Sequence, residues 1–238
     1  GSLPANRSAI GAAGTQTAGL AFGGSTGPGF VNTSDSAFEY NGASWTTGGS
    51  LNTGRTYTRG FGTQTAGIGC GGYTGSPNND TTTGATEEYD GSTWTTSGAM
   101  NTARRANSVS GIQTAGLTFG GNRPPNTASN ATESYNGATW TTTPATLATA
   151  NNLGGGSPAG TQSAALNTEG GSSPYGATTE EFNYSIYSPI AATWASGASV
   201  SFAKGQLSGT GTQTAALKSG GSPDTNNTEE YNGASWST

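Results

Sequence analysis

The sequence contains no histidine, a single cysteine (Cys70) and only eight lysine and arginine residues among 238. Without histidine there is no imidazole to act as a general base or metal ligand. One cysteine forms neither an internal disulfide nor a thiolate zinc cluster. The basic residues are scattered and the net charge is −5, so the sequence has no basic stripe that could bind the phosphates of a nucleic acid. It also has no run of about 18 apolar residues, the length that a helix needs to cross a membrane. We therefore expect no cofactor, no metal, no nucleic-acid partner and no membrane insertion.

Apolar residues are also scarce, at 30% of the chain, whereas glycine reaches 41 residues and threonine and serine are abundant. So much glycine and serine is typical of disordered chains, but such chains are usually charge-rich and poor in aromatic residues. Here only 9% of residues are charged, and 5 Trp, 9 Tyr and 7 Phe are spread along the sequence. Few aliphatic side chains and many β-formers and turn-formers predict many short strands rather than helices.

An internal repeat of about 50 residues organises the whole chain. Each copy contains Gly-Thr-Gln-Thr-Ala or a close variant, with its glutamine at Gln16, Gln64, Gln113, Gln162 and Gln213. A Gly-Gly pair follows, and then an aromatic residue after an acidic or polar stretch, at Tyr40, Tyr89, Tyr135, Phe182 and Tyr231. A tryptophan comes last, at Trp45, Trp94, Trp140, Trp194 and Trp236. These landmarks divide the chain into repeats at about 4–51, 52–100, 101–147, 148–200 and 201–238, the last completed by 1–3.

The second repeat resolves into four strand-sized segments, which we predict over residues 55–62, 65–70, 85–89 and 93–96. An Asp-Gly pair here, and Asn-Gly pairs in three other repeats, predict a two-residue hairpin turn between the last two strands. Four antiparallel strands in a repeat of this length are typical of a β-propeller blade. We therefore predict an all-β fold, in which residues 1–238 form a single five-bladed β-propeller with four antiparallel strands per blade. The C-terminal sequence continues into the N-terminal sequence as one repeat continues into the next, so we expect a closed ring.

The Gly-Gly pair, the tyrosine and the tryptophan, at this period, resemble the kelch repeat over the whole chain. The interval from Tyr40 to Trp45 is shorter than the usual kelch spacing, and only the interval from Phe182 to Trp194 is longer. The compact Tyr-Asn-Gly-x-x-Trp form also resembles repeats of phage and marine bacterial surface proteins. Kelch-type propellers include relatives of galactose oxidase and many binding scaffolds, so the resemblance implies a fold without deciding a function. An enzyme of the galactose oxidase type needs histidine around its copper, and this chain has none.

A ring of positive charge is the first candidate site. Four residues after an apolar residue near the start of each repeat stand Arg7, Arg55, Arg104, Asn151 and Lys204. By symmetry these positions lie where the innermost strands begin, near one mouth of the channel, and four cations there would focus a field on an anion. The alternative, which we favour, is that each arginine donates hydrogen bonds to backbone carbonyls or to a neighbouring glutamate.

The loops after the Gly-Gly pairs differ most between repeats and lie on one rim, where scaffolded loops commonly carry recognition. Their candidate ligand-binding residues are Phe30, Tyr73, Arg123 and Tyr175. Aromatic and basic side chains among polar residues suit polar or glycan ligands. Small residues crowd the first strands, and the larger exceptions, which would plug the channel, are Tyr57, Arg59, Phe61 and Gln206.

The repeated residues have structural and functional interpretations. The aromatic residues either form the core between blades, which the scarcity of aliphatic residues favours, or stack on sugars. The glutamines either lock one blade to the next or form a fivefold ligand site. In acidic pairs such as Glu87-Glu88 the two side chains point to opposite faces of a strand. They do not flank a glycosidic bond as acid and base, so we expect them to serve solubility or to bind backbone at the blade edge.

The sequence therefore predicts a protein that is not an enzyme. A charge-poor chain, rich in threonine, asparagine and serine and almost free of lysine, suits a binding or structural module on an extracellular or virion surface. Such a module would recognise a host or a surface, for example as part of a tail fibre or a bacterial adhesion protein. The expected partners are other structural proteins of the particle or surface, or a cell-surface glycan. The alternative is a multivalent glycan-binding lectin with repeated inter-blade sites.

Overall fold

A computed structural model describes residues 1–27, 32–75, 81–156, 160–168, 178–184, 193–200, 208–220 and 228–238. Four residues singled out in the sequence lie outside these ranges: Phe30, Tyr175, Lys204 and Gln206. The side chain of Trp194 is not described either. The described residues form 21 β-strands and no α-helix, which confirms the all-β prediction. In this described part, no helix of the length and apolarity needed to cross a membrane is found.

The strands form five antiparallel sheets, one for each blade. Blade 1 contains β1 (Gly11–Gly14), β2 (Gly19–Phe22), β3 (Ala37–Tyr40) and β4 (Trp45–Thr47). Blade 2 contains β5 (Arg59–Gly62), β6 (Gly67–Cys70), β7 (Thr86–Tyr89) and β8 (Trp94–Ser97). Blade 3 contains β9 (Ser108–Ile112), β10 (Ala115–Phe119), β11 (Asn122–Arg123), β12 (Thr127–Tyr135) and β13 (Trp140–Asn151). Blade 4 contains β14 (Gly155–Gly156), β15 (Ala164–Thr168), β16 (Thr179–Asn183) and β17 (Thr193–Ser196). Blade 5 contains β18 (Ser208–Thr212), β19 (Ala215–Ser219), β20 (Thr228–Tyr231) and β21 (Trp236–Ser237).

The first strand of each blade lies innermost. β1 packs against β5, β5 against β9, β9 against β14, and β14 against β18. The other strands follow outward in chain order, except that the short β11 adds a fifth strand to blade 3 beside β12. This arrangement is a five-bladed β-propeller, as the repeats predicted.

The hairpin between the third and fourth strands is a four-residue loop, not the two-residue turn that we predicted. In blade 1, Tyr40 pairs with Trp45, so residues 41–44 form the loop. The side-chain oxygen of Asn41 accepts two backbone N–H bonds from within the loop, and Gly42 has a φ of +91°. Glycine adopts this conformation without a steric penalty, which explains the recurring Asn-Gly and Asp-Gly pairs.

The innermost strands begin later than the sequence predicted. The first strand of blade 2 was predicted over 55–62, but β5 begins at Arg59, because Tyr57 has a φ of +52° and interrupts the extended backbone. The equivalent positions with positive φ in three other blades are Ala9, Ala106 and Leu153. The N–H of Tyr57 donates to the Ala9 carbonyl at 2.9 Å, and the N–H of Ala106 donates to the Tyr57 carbonyl at 3.0 Å. The unusual backbone therefore joins blades 1, 2 and 3 where their inner strands begin.

The hydrophobic core lies between adjacent blades and is built mainly from aromatic rings. Trp94 and Trp140 are each 5% exposed, and Tyr89 and Tyr135 are fully buried. At the junction of blades 1 and 2, the Phe22 ring centroid lies 4.7 Å from that of Trp94. Large aromatic rings replace the missing aliphatic residues, so the core interpretation of these four repeated residues is confirmed.

Phe61 belongs to this core and does not plug the channel, so that prediction is wrong. Its side chain is fully buried, and its ring meets the Trp140 ring edge-on at a centroid distance of 6.4 Å. A Cβ atom added to Gly116 would lie 2.4 Å from the Phe61 ring. The ring therefore fills the space that glycine leaves on blade 3.

Candidate functional site

Arg55 of blade 2, one of the predicted ring positions, is fully buried. Its Nη1 atom donates to the carbonyl oxygens of Gly71 and Ala85, at 3.1 and 2.7 Å. Its Nη2 atom forms a salt bridge with Glu87 Oε1 at 2.9 Å. All these partners belong to blade 2, so the guanidinium group is used within its own blade.

Arg104 repeats this geometry in blade 3. Its Nη1 atom donates to the carbonyls of Gly120 and Ala131, at 3.1 and 2.9 Å, and its Nη2 atom lies 2.6 Å from Glu133 Oε1. Arg104 and Glu133 are both fully buried. The prediction of a ring of accessible charge at the channel mouth is therefore wrong for Arg55 and Arg104, because neither side chain is exposed to an anion. Both residues instead fit the alternative, in which each arginine donates hydrogen bonds to backbone carbonyls and to a neighbouring glutamate.

An asparagine three residues before each of these arginines helps to hold the glutamate. In blade 2, Glu87 Oε2 accepts hydrogen bonds from the backbone N–H and the side-chain amide of Asn52, at 2.6 and 2.9 Å. Burial lowers the pKa of Arg55, and attraction to Glu87 opposes that shift. Glu87, the first acid of its pair, is therefore an internal binding group and not a solubilising surface charge.

The other ring positions depart from this pattern. In blade 1, Phe38 stands where blades 2 and 3 have glutamate, and the Arg7 guanidinium lies 5.1 Å from the Phe38 ring centroid. Nη1 of Arg7 also donates to the Gly23 carbonyl at 3.2 Å. At the ring position of the fourth repeat, Asn151, the last residue of β13, is buried, and within the described part of the chain its side-chain amide has no hydrogen-bond partner. Lys204 lies outside the described residues.

A second cluster, the rim stack, consists of Tyr57, Tyr73 and Arg105. The rings of Tyr57 and Tyr73 stack with their centroids 5.9 Å apart and an interplanar angle of 17°. The Arg105 guanidinium lies over the Tyr73 ring at 5.5 Å, a cation–π arrangement. Tyr73 is only 6% exposed, so half-buried Tyr57 and Arg105 supply the accessible surface of the rim stack.

Side chains of two loops hold Arg105 in place. Its Nη1 atom donates to Thr82 Oγ1 at 2.6 Å, and its Nη2 atom donates to Asn126 Oδ1 at 2.9 Å. These loops follow the second strands of blades 2 and 3, and Tyr57 precedes the first strand of blade 2. In an antiparallel blade these positions share one end, so the rim stack lies on the rim where we predicted recognition.

Two more arginines lie near the rim stack. Arg59, the first residue of β5, donates from Nε to the Asn107 carbonyl of blade 3 at 3.1 Å, and burial lowers its pKa. Burial and the neighbouring Tyr73 raise the pKa of Tyr57, whereas the positive charges of Arg59 and Arg105 oppose that rise. Arg123 is exposed on β11. The structure thus places predicted rim residues Tyr73 and Arg123 beside a cationic and aromatic surface of blades 2 and 3.

Arg105 was missed by the sequence analysis. The available signal was its position directly after Arg104, because adjacent residues in extended backbone point in different directions. Arg104 enters the blade interior and Arg105 reaches the rim. In the described ranges, no three carboxylate, thiol or imidazole side chains lie close enough together to hold a metal ion.

Three of the five repeated glutamines lock one blade to the next through backbone carbonyls, as one of the two interpretations predicted. Nε2 of Gln64 donates to the carbonyls of Gly19 and Tyr40 in blade 1, at 3.0 and 2.8 Å. Gln113 and Gln162 make the same pair of bonds to the equivalent carbonyls of blades 2 and 3. These amides satisfy buried backbone acceptors and contribute no free donor to a ligand.

The hydroxyl and indole groups of the repeat also act across junctions. The tyrosine hydroxyl donates to a glutamate of the preceding blade, in the pairs Tyr89–Glu39, Tyr135–Glu88 and Tyr231–Glu181. The indole N–H donates to a threonine of the preceding blade, in the pairs Trp140–Thr86 and Trp236–Thr179. These hydrogen bonds connect adjacent blades, so the hydroxyl and indole groups that form them have a structural role.

The fold and the rim stack define a five-bladed β-propeller with a cationic, aromatic end. No family model matches the chain. A search of curated proteins finds no match either.

Proposed function

We propose that this chain is a non-enzymatic binding module with kelch-like repeats, displayed on an extracellular or virion surface, and that the rim stack is its recognition surface. The observation that supports this proposal is the rim stack itself, in which Tyr57 and Arg105 both pack against Tyr73 at the accessible end of blades 2 and 3. A half-buried aromatic ring beside a guanidinium group binds a ligand with a flat apolar face and a nearby carboxylate. Acidic glycans and acidic protein surfaces both have this chemistry.

Burial of the junction residues argues against the alternative lectin with one sugar site in each junction. A sugar stacks on an open aromatic face, but Trp94 and Trp140 are buried and packed against other rings. The Trp140 indole N–H is already bonded to Thr86. We therefore expect one recognition surface per chain, with the partner either a cell-surface glycan or a structural protein of the same particle.

A glycan array containing sialylated and uronate-bearing sugars, followed by calorimetric titration of any hit, tests the proposal. Tyr57→Ala should abolish binding without unfolding the protein, because Ala9 and Ala106 already occupy the equivalent positive-φ positions of blades 1 and 3. Arg105→Ala should weaken binding and reduce its salt dependence, since it removes a screened charge. The control is Ile112→Ala, which changes a 56% exposed residue at the other end of blade 3.

The stoichiometry of binding separates the two candidate functions. One site per chain, lost in Tyr57→Ala, supports the rim stack. Several equivalent sites that survive in Tyr57→Ala would instead support the lectin with inter-blade sites. Binding of a purified structural protein of the particle, with the same loss in Tyr57→Ala, identifies a protein partner.

A further inference from the structure

In three blades, a phenylalanine ring packs into the junction with the following blade. The Phe22 ring of blade 1 lies 4.7 Å from the Trp94 ring of blade 2, measured between centroids. The Phe61 ring of blade 2 lies 6.4 Å from the Trp140 ring of blade 3. Phe119 of blade 3 is fully buried in a cluster that includes residues of blade 4. The first three junctions are therefore filled by a ring from the preceding blade.

Blade 4 has no phenylalanine at the positions that supply these rings. The strand register places Thr168 where blades 1 and 3 have Phe22 and Phe119. Ser157, which lies outside the described residues, stands in the sequence where blade 2 has Phe61. The junction between blades 4 and 5 therefore receives no phenylalanine ring from either position.

A cavity, here called the cleft, lies at this junction. It contains about 180 Å³ of empty space, part of which is open to solvent. Blade 4 contributes Leu166 and Thr168 to its walls, and blade 5 contributes Gly209, Ala216 and Trp236. Thr168, which replaces the phenylalanine of other blades, thus borders space that protein atoms do not fill.

The walls of the cleft match the surface that holds the Phe22 ring at the first junction. A Cβ added to Gly60 of blade 2 would lie 2.6 Å from the Phe22 ring, and Gly209 is the counterpart of Gly60 in blade 5. Trp236 is the counterpart of Trp94, which packs against Phe22. The cleft therefore keeps the glycine and the indole that receive a phenyl ring elsewhere in the chain.

The Trp236 indole is more accessible than its counterparts at the filled junctions. Trp236 is half-buried, whereas Trp94 and Trp140 are each 5% exposed. The Trp236 indole N–H donates to Thr179 Oγ1 at 3.2 Å. Because that donor is already bonded, the indole offers carbon surface to a ligand.

Lys218 introduces a charge near the cleft, because it stands where blade 2 has Gly69. A Cβ added to Gly69 would lie 2.8 Å from the Phe22 ring. The ammonium group of Lys218 is turned to Glu229, with Nζ 3.0 Å from Oε2, and both side chains are buried. Among the described residues that line the cleft, none is charged and all but two threonines are apolar. Such walls suit an uncharged ring.

We infer that the cleft binds a small ligand with a single aromatic ring, such as a phenol. The ligand ring lies against the Trp236 indole and beside Gly209, in the place that the Phe22 ring takes at the first junction. A polar substituent on the ring faces the open side of the cleft, where water hydrates it. The cleft belongs to blades 4 and 5 and the rim stack to blades 2 and 3. This site therefore goes beyond the proposed recognition function and does not depend on it.

An NMR titration with phenol tests the site, because the indole N–H signal of each tryptophan reports on its own junction. The Trp236 signal, identified by its loss in Trp236→Phe, should shift until it saturates. The signals of Trp94 and Trp140 should stay in place, since each ring already packs against a phenylalanine. Phenol should also raise the melting temperature (Tm), because it binds the folded protein. No shift of the Trp236 signal, or equal shifts of all three signals, would overturn the inference.

Cyclohexanol is the matched control ligand, because it has a saturated ring of similar size. A pair of aromatic rings adds attraction beyond the burial of area, so cyclohexanol should bind about two to ten times more weakly than phenol. Equal binding of the two ligands would contradict an aromatic site. A Trp236 shift that appears with a methyl glucoside and not with phenol would also contradict it and assign the cleft to a sugar.

Variants of Thr168 test where the ligand ring lies. Thr168→Phe supplies the ring from the chain itself and should abolish the phenol shift of Trp236, whereas Thr168→Val, of nearly the same shape as threonine, should keep it. The Tm of each variant shows that it is folded. If Thr168→Phe does not fold, Phe22→Thr opens the same space at the first junction and should make the Trp94 signal sensitive to phenol. Unchanged phenol binding in folded Thr168→Phe, or an insensitive Trp94 signal in folded Phe22→Thr, would refute the assignment.

Discussion

Ala37→Thr should leave the junction between blades 1 and 2 more stable than Ala37→Val does. The indole N–H of Trp94 is buried and, within the described residues, has no acceptor. In the equivalent place, Trp140 donates to Thr86 Oγ1 at 2.9 Å. Blade 1 has Ala37 where the other blades have threonine, so a missing hydroxyl explains the unpaired donor.

The magnitude follows from the cost of an unpaired buried donor, which is about 1–3 kcal/mol. Threonine and valine have nearly the same shape, so Ala37→Val is the control for any effect of added volume. Without a partner, a buried hydroxyl costs about 1–3 kcal/mol relative to an apolar group. If the hydroxyl accepts the Trp94 N–H, Ala37→Thr should instead be about 1 kcal/mol more stable than Ala37→Val.

Urea unfolding and calorimetry of both variants measure this difference, which corresponds to a Tm difference of about 2–4 °C for a domain of this size. In the reciprocal variant, Thr86→Val, the Trp140 N–H loses its acceptor and stability should fall by about 1–3 kcal/mol. If Ala37→Thr were no more stable than Ala37→Val, the missing hydroxyl would not explain the unpaired Trp94 donor.

Three further outcomes are expected. Arg104→Met should lower the free energy of unfolding by about 3–5 kcal/mol, because Glu133 would stay buried without its cation; in the same urea series, exposed Arg123→Met should change it by less than about 0.5 kcal/mol. The pKa of Tyr135 is raised from 10.0 to about 12 by burial and its bond to a glutamate, so the unfolded chain releases this proton first. Its contribution to stability should be complete below pH 10 and disappear as pH rises to about 12, and Tyr135→Phe should reduce that alkaline loss in pH-dependent unfolding. Burial raises the pKa of the Cys70 thiol to about 12, so a thiol reagent should react with it in urea but not in the native protein; rapid native labelling would contradict its burial.

The repeat itself determined the architecture. Evenly spaced landmarks, turn residues and short β-forming segments are local signals, and they predicted five blades and the order of their strands. The scarcity of aliphatic residues also predicted that rings such as Trp94 and Trp140 form the core. In the same way, a locking role was one of the two interpretations of Gln64, because an amide in a turn has both donors and an acceptor for neighbouring backbone.

The direction of each side chain was decided only by the tertiary structure. Sequence symmetry placed Arg55 and Arg104 near the channel mouth, but a carboxylate from the third strand and two carbonyls hold each guanidinium inside its blade. Phe61 was predicted in the channel, and its direction depends on a first strand that begins only at Arg59, after the positive φ of Tyr57. Burial depends on which blade lies opposite a given face. The rim stack forms for the same reason, since its residues come from two blades and meet only when those blades pack together.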